Sequence, residues 1–267
     1  MTSTRPSAEI APYIGVDLTD RYAATIRPID VCGLYPRGRG KFRAVFYEWH
    51  WDAAADWDRP DALRVDAIVK ELQSAKCSMI DGPQGLARPA RMMRECERLC
   101  SAAGRTPWHR PERMMAKRGI HRPFAGFVNS GLDLFQALYA AGLSLSPVGF
   151  TGGVNECYPG ARQCWRRLAG RKLLAKPTEA GRRERKRICE VLGIQFPPGQ
   201  LPTHDENDAC IGALLAATAD GQIPGLELMS FGDAVYLDAG VLREGPIACP
   251  GVVDIRLRKR LDQAMTG

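Results

Sequence analysis

The chain has little of what marks several protein classes. No run of 18 apolar residues occurs in its 267 residues, which excludes a transmembrane helix. There is no internal repeat and no low-complexity tract, so solenoids and disordered linkers are excluded. Histidines number four, and only His204-Asp205 forms an adjacent His-Asp pair, while His50, His109 and His121 lie in unrelated contexts. A metal-dependent phosphohydrolase of the His-Asp type is therefore set aside. The nine cysteines form no Cys-x-x-Cys pair and have no histidine at zinc-finger spacing. Cys96 and Cys100 share a helical face, but two ligands do not make a site. The expectation is reduced thiols packed as small apolar residues. Met1 to Ser7 lacks the basic-then-apolar order of a signal peptide. Together these absences predict a cytoplasmic protein without membrane attachment.

What is present is an ordinary globular composition, 45% hydrophobic and 25% charged. The length suits one large domain or two small ones, and a single domain over 1–267 is expected. The formal charge of +7 conceals a strong segregation. Residues 162–187 hold eleven basic and two acidic residues, net +9. Residues 88–122 hold ten basic and three acidic residues, net +7, which leaves −9 for everything else. Segregated positive charge is what a polyanionic partner requires, although two solvated helix faces would look the same.

Tyr13-Ile14-Gly15-Val16-Asp17-Leu18 reads as a buried strand. Tyr22 to Cys32 and Arg43 to Trp51 read as two more, with 33–40, which carries Pro36 and three glycines, as the hairpin loop between them. Pro60 to Ser74 has a helical stripe of Leu63, Ala67, Ile68 and Leu72. Lys76 to Ile80 is a strand ending at Asp81-Gly82-Pro83, and Ala87 to Ala103 a basic helix. Residues 104–150 read as an insertion, irregular through 129 and helical over Gly131 to Ala141. Gly152 to Cys157 is a strand, and Ala161–Ala169, Glu179–Leu192 and Asp205–Ala219 are helices. Leu228 to Leu237 reads as one or two short terminal strands. The sum is an α/β fold. It has a mixed five-stranded sheet, three antiparallel then parallel strands, flanked by helices and carrying a basic helical insertion.

Acids fall at informative places. Asp17, Asp81 and Glu156 each end a strand, and Asp205 and Asp208 open an otherwise apolar helix. Parallel strands bring their carboxyl ends to one edge, where ligands bind. Asp205 and Asp208, three apart, share a helix face. Each acid also has a plain local role, Asp205 as a helix-capping acid and Asp81 and Asp17 as turn residues. Clustered carboxylates, however, cannot all stay ionised without a cation. Hard oxygen ligands suit Mg²⁺ or Mn²⁺, and two such ions about 4 Å apart clamp the attacking and leaving oxygens of a phosphodiester.

The segments Ile14-Gly15-Val16-Asp17, Ile80-Asp81-Gly82-Pro83, Glu156-Cys157-Tyr158-Pro159 and Asp205-Glu206-Asn207-Asp208-Ala209 resemble those of the predicted RNase H-like nucleases grouped as domain of unknown function 429. His204 through Ala217 is also similar to the closing helix of bacterial Holliday-junction resolvases, and Glu244-Gly245-Pro246-Ile247 to a terminal turn of the family. The resemblance spans about residues 12–250. It implies an RNase H-like domain and a metal-dependent nuclease. Asp17 would bridge two ions, Asp81 and Asp208 would each hold one, Glu156 would be a further ligand, and Asp205 a second helix ligand or support. His204 would assist the leaving group or product release. RNase H has a glutamate early on its first helix, and the nearest acids here are Asp61 and Asp66.

The partner expected on this basis is nucleic acid, DNA or RNA, gripped at phosphates by Arg162, Arg166, Arg167, Arg171, Lys172, Arg182, Arg183, Arg185 and Lys186. Trp108 and Trp165, interleaved with arginines, are candidates to stack on unpaired bases, and Trp165 is equally a candidate for helix packing. Two alternatives remain. One is a non-catalytic nucleic-acid or protein binding module on the same fold. The other is an ATP-binding protein of the actin and Hsp70 kind, which would need a glycine-rich turn where this chain has Leu18-Thr19-Asp20.

Overall fold

The structure is a computed structural model that describes residues 10–57, 63–102, 106–112, 124–160 and 164–266. Asp61 and Arg162 lie outside the described residues, as do residues 113–123. The strands are β1 (Tyr13–Asp17), β2 (Ile29–Gly38), β3 (Lys41–Trp49), β4 (Cys77–Asp81), β5 (Val154–Cys157), β6 (Ile194–Gln195), β7 (Leu226–Phe231), β8 (Tyr236–Asp238), β9 (Val241–Arg243) and β10 (Ile247–Val252). The helices are α1 (Asp66–Ser74), α2 (Glu95–Cys100), α3 (Ala125–Ala140), α4 (Cys164–Ala169), α5 (Glu179–Val191), α6 (His204–Ala219) and α7 (Ile255–Thr266).

A mixed sheet of eight strands forms the centre, in the order β6-β3-β2-β1-β4-β5-β10-β7, and β8 and β9 make a separate hairpin. β1, β2 and β3 are antiparallel neighbours, while β4 runs parallel to β1 and β5 parallel to β4. The expected count of five strands is therefore corrected to eight. The additions are a two-residue β6 and the pair β10 and β7 beyond β5. β10 is hard to read because Pro250 interrupts its apolar run. Its pairing with β5 covers only Ile247 and Ala248, so Pro250 lies where only β7 is alongside.

The expected loop at 33–40 is mostly strand. Pro36 pairs with Phe42 beyond the last β1 partner, Leu34, next to a bulge. The long basic helix expected over 87–103 is reduced to six residues of α2. Pro89 and the left-handed Ala90 (φ 64°) precede it, and Arg94 is extended with its side chain drawn into the core.

Apolar residues line both faces of the sheet, as its strands require. Ile14, Val16 and Ile80 pack with α1 and α3 on one face, so α3, within the expected insertion, is part of the core. Tyr13, Met79 and Cys157 pack with α4, α5, α6 and α7 on the other. All nine cysteines are free and buried. Among the described residues no helix is long and apolar enough to cross a membrane.

Candidate active site

The geometry of the acids follows from one glycine. A Cβ at Gly15 would lie 2.0 Å from the Ala209 carbonyl oxygen and 2.1 Å from the Ala213 nitrogen. Only glycine lets α6 lie directly on β1. The crossing point is two residues before Asp17 and one residue after Asp208, so the first turns of α6 come down on the end of β1. Thr203 caps that helix, accepting from the Glu206 N–H, and the Glu206 side chain returns to the Thr203 N–H.

Strand register places the rest. Asp17 pairs with Asp81 across the parallel β1–β4 ladder. It also pairs with Asp30 across β1–β2, and Asp30 with Glu48 across β2–β3. Register partners share a face, so Glu48, Asp30, Asp17 and Asp81 form a row of acids across four strands, facing α6. Asp30 and Glu48 were not anticipated. They lie on antiparallel strands, and only the register shows that they reach the same edge.

Asp17, Asp81 and Asp208 are brought together. Asp17 and Asp81 stand side by side as register partners. Burial raises the Asp17 carboxyl well above the usual range, and the charges of Asp208, Asp81 and Asp205 add to this. Burial and then the Asp208 charge push Asp81 up to about 8. Asp30 is pushed up to about 6, by burial and then by Asp205, Glu206 and Glu48.

One cation enters this group. Lys176, in the loop between α4 and α5, donates from Nζ to Asp208 Oδ2 at 2.7 Å, and its charge also reaches Asp17 and Asp81. Trp165 Nε1 donates to the other Asp208 oxygen at 2.8 Å. The Arg185 guanidinium lies 5.7 Å from the Trp165 ring centroid. Trp165 is thus a buried packing and hydrogen-bonding residue and presents no face to a base. In the sequence Lys176 is hidden among ten other basic residues of its segment.

Asp205 stands on the flank, 3.0 Å from Arg27 and 3.1 Å from His204 Nε2. Glu156 lies beside Asp81, and its charge also raises that carboxyl, but it is held by other partners. Its register partners are Ile80 and Ile247, one residue out of step with Asp17 and Asp81, so it starts from the opposite face of the sheet. There both its oxygens accept from Arg94 at 2.6 Å, and Oε2 also accepts from the Gln84 N–H at 3.0 Å. Asp81, Arg94 and Glu156 line the same small pocket with Thr106, Phe127 and Tyr158. Asp66 begins α1, is exposed, and lies away from the α6 face.

The basic residues divide. Arg166, Arg171, Lys172 and Arg183 are exposed, while Arg167, Arg182 and Lys186 are half-buried. Arg185 is 1% exposed and donates to the Leu174 and Gly181 carbonyls, so it supports the interior and does not offer its charge to a polyanion. Trp108 is exposed.

The donor set is that of a hard divalent cation: three converging carboxylates, with no histidine or thiol among them. As they stand, no three Asp, Glu, His or Cys side chains among the described residues close on one ion, and the Lys176 ammonium takes one oxygen of Asp208. Comparison with curated proteins and with solved structures gives no significant match. The family model described as "Protein of unknown function (DUF429)" matches residues 48–226, two thirds of the sequence, and the chain belongs to that family.

Proposed function

We propose that the protein is an RNase H-like, metal-dependent nuclease that hydrolyses phosphodiester bonds at the edge formed by Asp17, Asp81 and Asp208. The observation that carries the reading is the convergence of buried Asp17 and Asp208 with half-buried Asp81, from two parallel strands and a crossing helix. The order β3-β2-β1-β4-β5 in the middle of the sheet, with three antiparallel strands followed by parallel ones, supports it. So does the charge layout. The segment that sends Trp165 and Lys176 to the acids carries Arg166, Arg171 and Lys172 on its exposed side.

Asp17, Asp81 and Asp208 would hold Mg²⁺ or Mn²⁺. Bound there, the ion would activate water and offset charge on the phosphate. The chain's own residues supply the rest. Asp17 and Asp81 are fixed by the β1–β4 ladder, and the Trp165 indole orients Asp208. Asp205, held by Arg27 and His204, adds negative charge at the flank. Glu156, saturated by Arg94 and Gln84, contributes to the wall of the neighbouring pocket. The exposed basic residues hold phosphates without reading sequence.

The test is cleavage of labelled single- and double-stranded DNA and RNA by the full chain, with Mn²⁺, with Mg²⁺ and with chelator. Cleavage of at least one substrate is expected, dependent on the ion and reduced at least about a hundredfold in Asp17→Asn. Cleavage that survives both chelation and Asp17→Asn overturns the reading. Nucleic-acid binding without any cleavage would favour the non-catalytic binding module.

A further inference from the structure

The Lys176–Asp208 contact is the one by which a basic side chain of this segment bonds to the acid cluster. Arg166 and Lys172 are exposed, Arg171 bonds Glu184 away from the cluster, and Arg185 is locked into carbonyls and an indole. Lys176 alone in this segment enters the acids. It forms one hydrogen bond to one oxygen, and its side chain is 40% exposed against 1% for Asp208. The ammonium therefore meets a buried oxygen from a side chain that is itself half-exposed. Its backbone belongs to a turn, between Ala175 and Pro177, and to no strand or helix. The turn is anchored from its other side, where the Leu174 N–H donates to Glu184 at 2.7 Å and the Leu174 carbonyl accepts from Arg185. Lys176 can leave the acids by rotating its own side chain, without moving the sheet, α5 or α6.

The charge count makes such a departure meaningful. Asp17, Asp81 and Asp208 share the one ammonium bonded to them, with the buried Arg185 guanidinium in the field of Asp208 behind Trp165 and Asp205 within electrostatic range of Asp17. A point-like, strongly hydrated ammonium on a flexible stem is a poor permanent partner for several carboxylates, whereas a fork-shaped guanidinium is a good one. Resting on the metal reading of the same acids, we propose that Lys176 is a built-in counter-ion that a divalent cation displaces. The ammonium holds Asp208 in the unloaded chain. It gives up that oxygen when the ion binds, so that loading is an exchange of one cation for another. Such an exchange accounts for an acid cluster of the right chemistry in which no three donors close on one point.

The experiment is calorimetric titration of Mn²⁺ into the full chain at one pH, for the wild type, Lys176→Met and Lys176→Arg. Removing the competitor is expected to tighten Mn²⁺ binding at least about tenfold in Lys176→Met. Lys176→Arg, which keeps a cation, is expected to bind no more tightly than the wild type. A merely structural lysine would lower the melting temperature in Lys176→Met without tightening Mn²⁺. A second measurement needs no variant, namely the rate of reductive methylation of Lys176, read by mass spectrometry with and without Mg²⁺. A several-fold faster reaction with Mg²⁺ supports displacement. Equal Mn²⁺ affinity in Lys176→Met and the wild type, or an unchanged methylation rate, overturns the exchange while leaving the metal site standing. No saturable Mn²⁺ binding to any of the three overturns the metal reading and the exchange with it.

Discussion

Two cation–carboxylate pairs flank Asp81 at the edge of the same sheet, and they are built in opposite ways. Arg94 meets Glu156 with two hydrogen bonds of 2.6 Å, and both side chains are almost fully buried. The same guanidinium also binds Glu97, which accepts from the Thr106 backbone. Gln84 adds a further N–H to Glu156. Every strong donor and acceptor of that group has a rigid partner. Lys176 meets Asp208 with one hydrogen bond from a half-exposed side chain, and two more carboxylates share its field. The first pair is saturated and serves the fold. The second is undersupplied with positive charge, and that shortage is what a ligand can correct. A strand-end acid in the sequence does not say which kind it is; the partners the fold brings to it decide.

The largest effect should come from breaking the saturated pair. Arg94→Ala leaves Glu156 and Glu97 buried without their cation, and a loss of about 3–5 kcal/mol is expected, read by thermal or urea denaturation. A loss below about 1 kcal/mol would erase the difference between the two pairs. Next is the acid row. Asp81, held at about 8 by burial and by Asp208, favours the fold while protonated. Its contribution is complete below about pH 4 and is lost as pH rises toward about 8. The metal-free protein should therefore lose stability across that window. Asp81→Asn should flatten the loss, raising the melting temperature at pH 8 by about 2–4 °C for each kcal/mol of repulsion relieved. An unchanged pH profile in Asp81→Asn would mean that the acids do not strain one another.

Smaller effects should follow at the periphery. Trp165→Phe removes the indole bond to Asp208 together with part of a buried ring that underlies Arg185, and should cost about 2–3 kcal/mol, with a larger fractional loss in cleavage than in stability. Neutralising Arg166, Lys172 and Arg183 together should leave the melting temperature within about 2 °C and weaken nucleic-acid binding, with a salt slope lower by up to about three. Binding unaffected by that triple change would make these residues an ordinary solvated surface.

Much of the site was legible because strands that end in acids are legible. Ile14-Gly15-Val16-Asp17 and Met79-Ile80-Asp81 are short apolar runs, and Asp205 and Asp208 open a helix whose remainder is apolar. Glu156 looked the same, but a one-residue register step turns it to an arginine that a basic run did not distinguish from its neighbours. Asp30 and Glu48 were missed because they join the row only through antiparallel register. Lys176 was missed because a residue in a charge run looks solvated until the fold turns it inward. Pro36 and Pro250 hid strand where pairing is one-sided, and no local pattern reports that. Gly15 was visible only as part of a motif; its role as the contact point for α6 needs the helix in place.

The most direct test of a cation site at this edge is anomalous diffraction from crystals soaked in Mn²⁺. The account predicts density for Mn²⁺ bounded by Asp17, Asp81 and Asp208, with the Lys176 ammonium no longer on Asp208 and Glu156 still on Arg94. Full Mn²⁺ exposure with no density there, and Lys176 still bonded to Asp208, would contradict it.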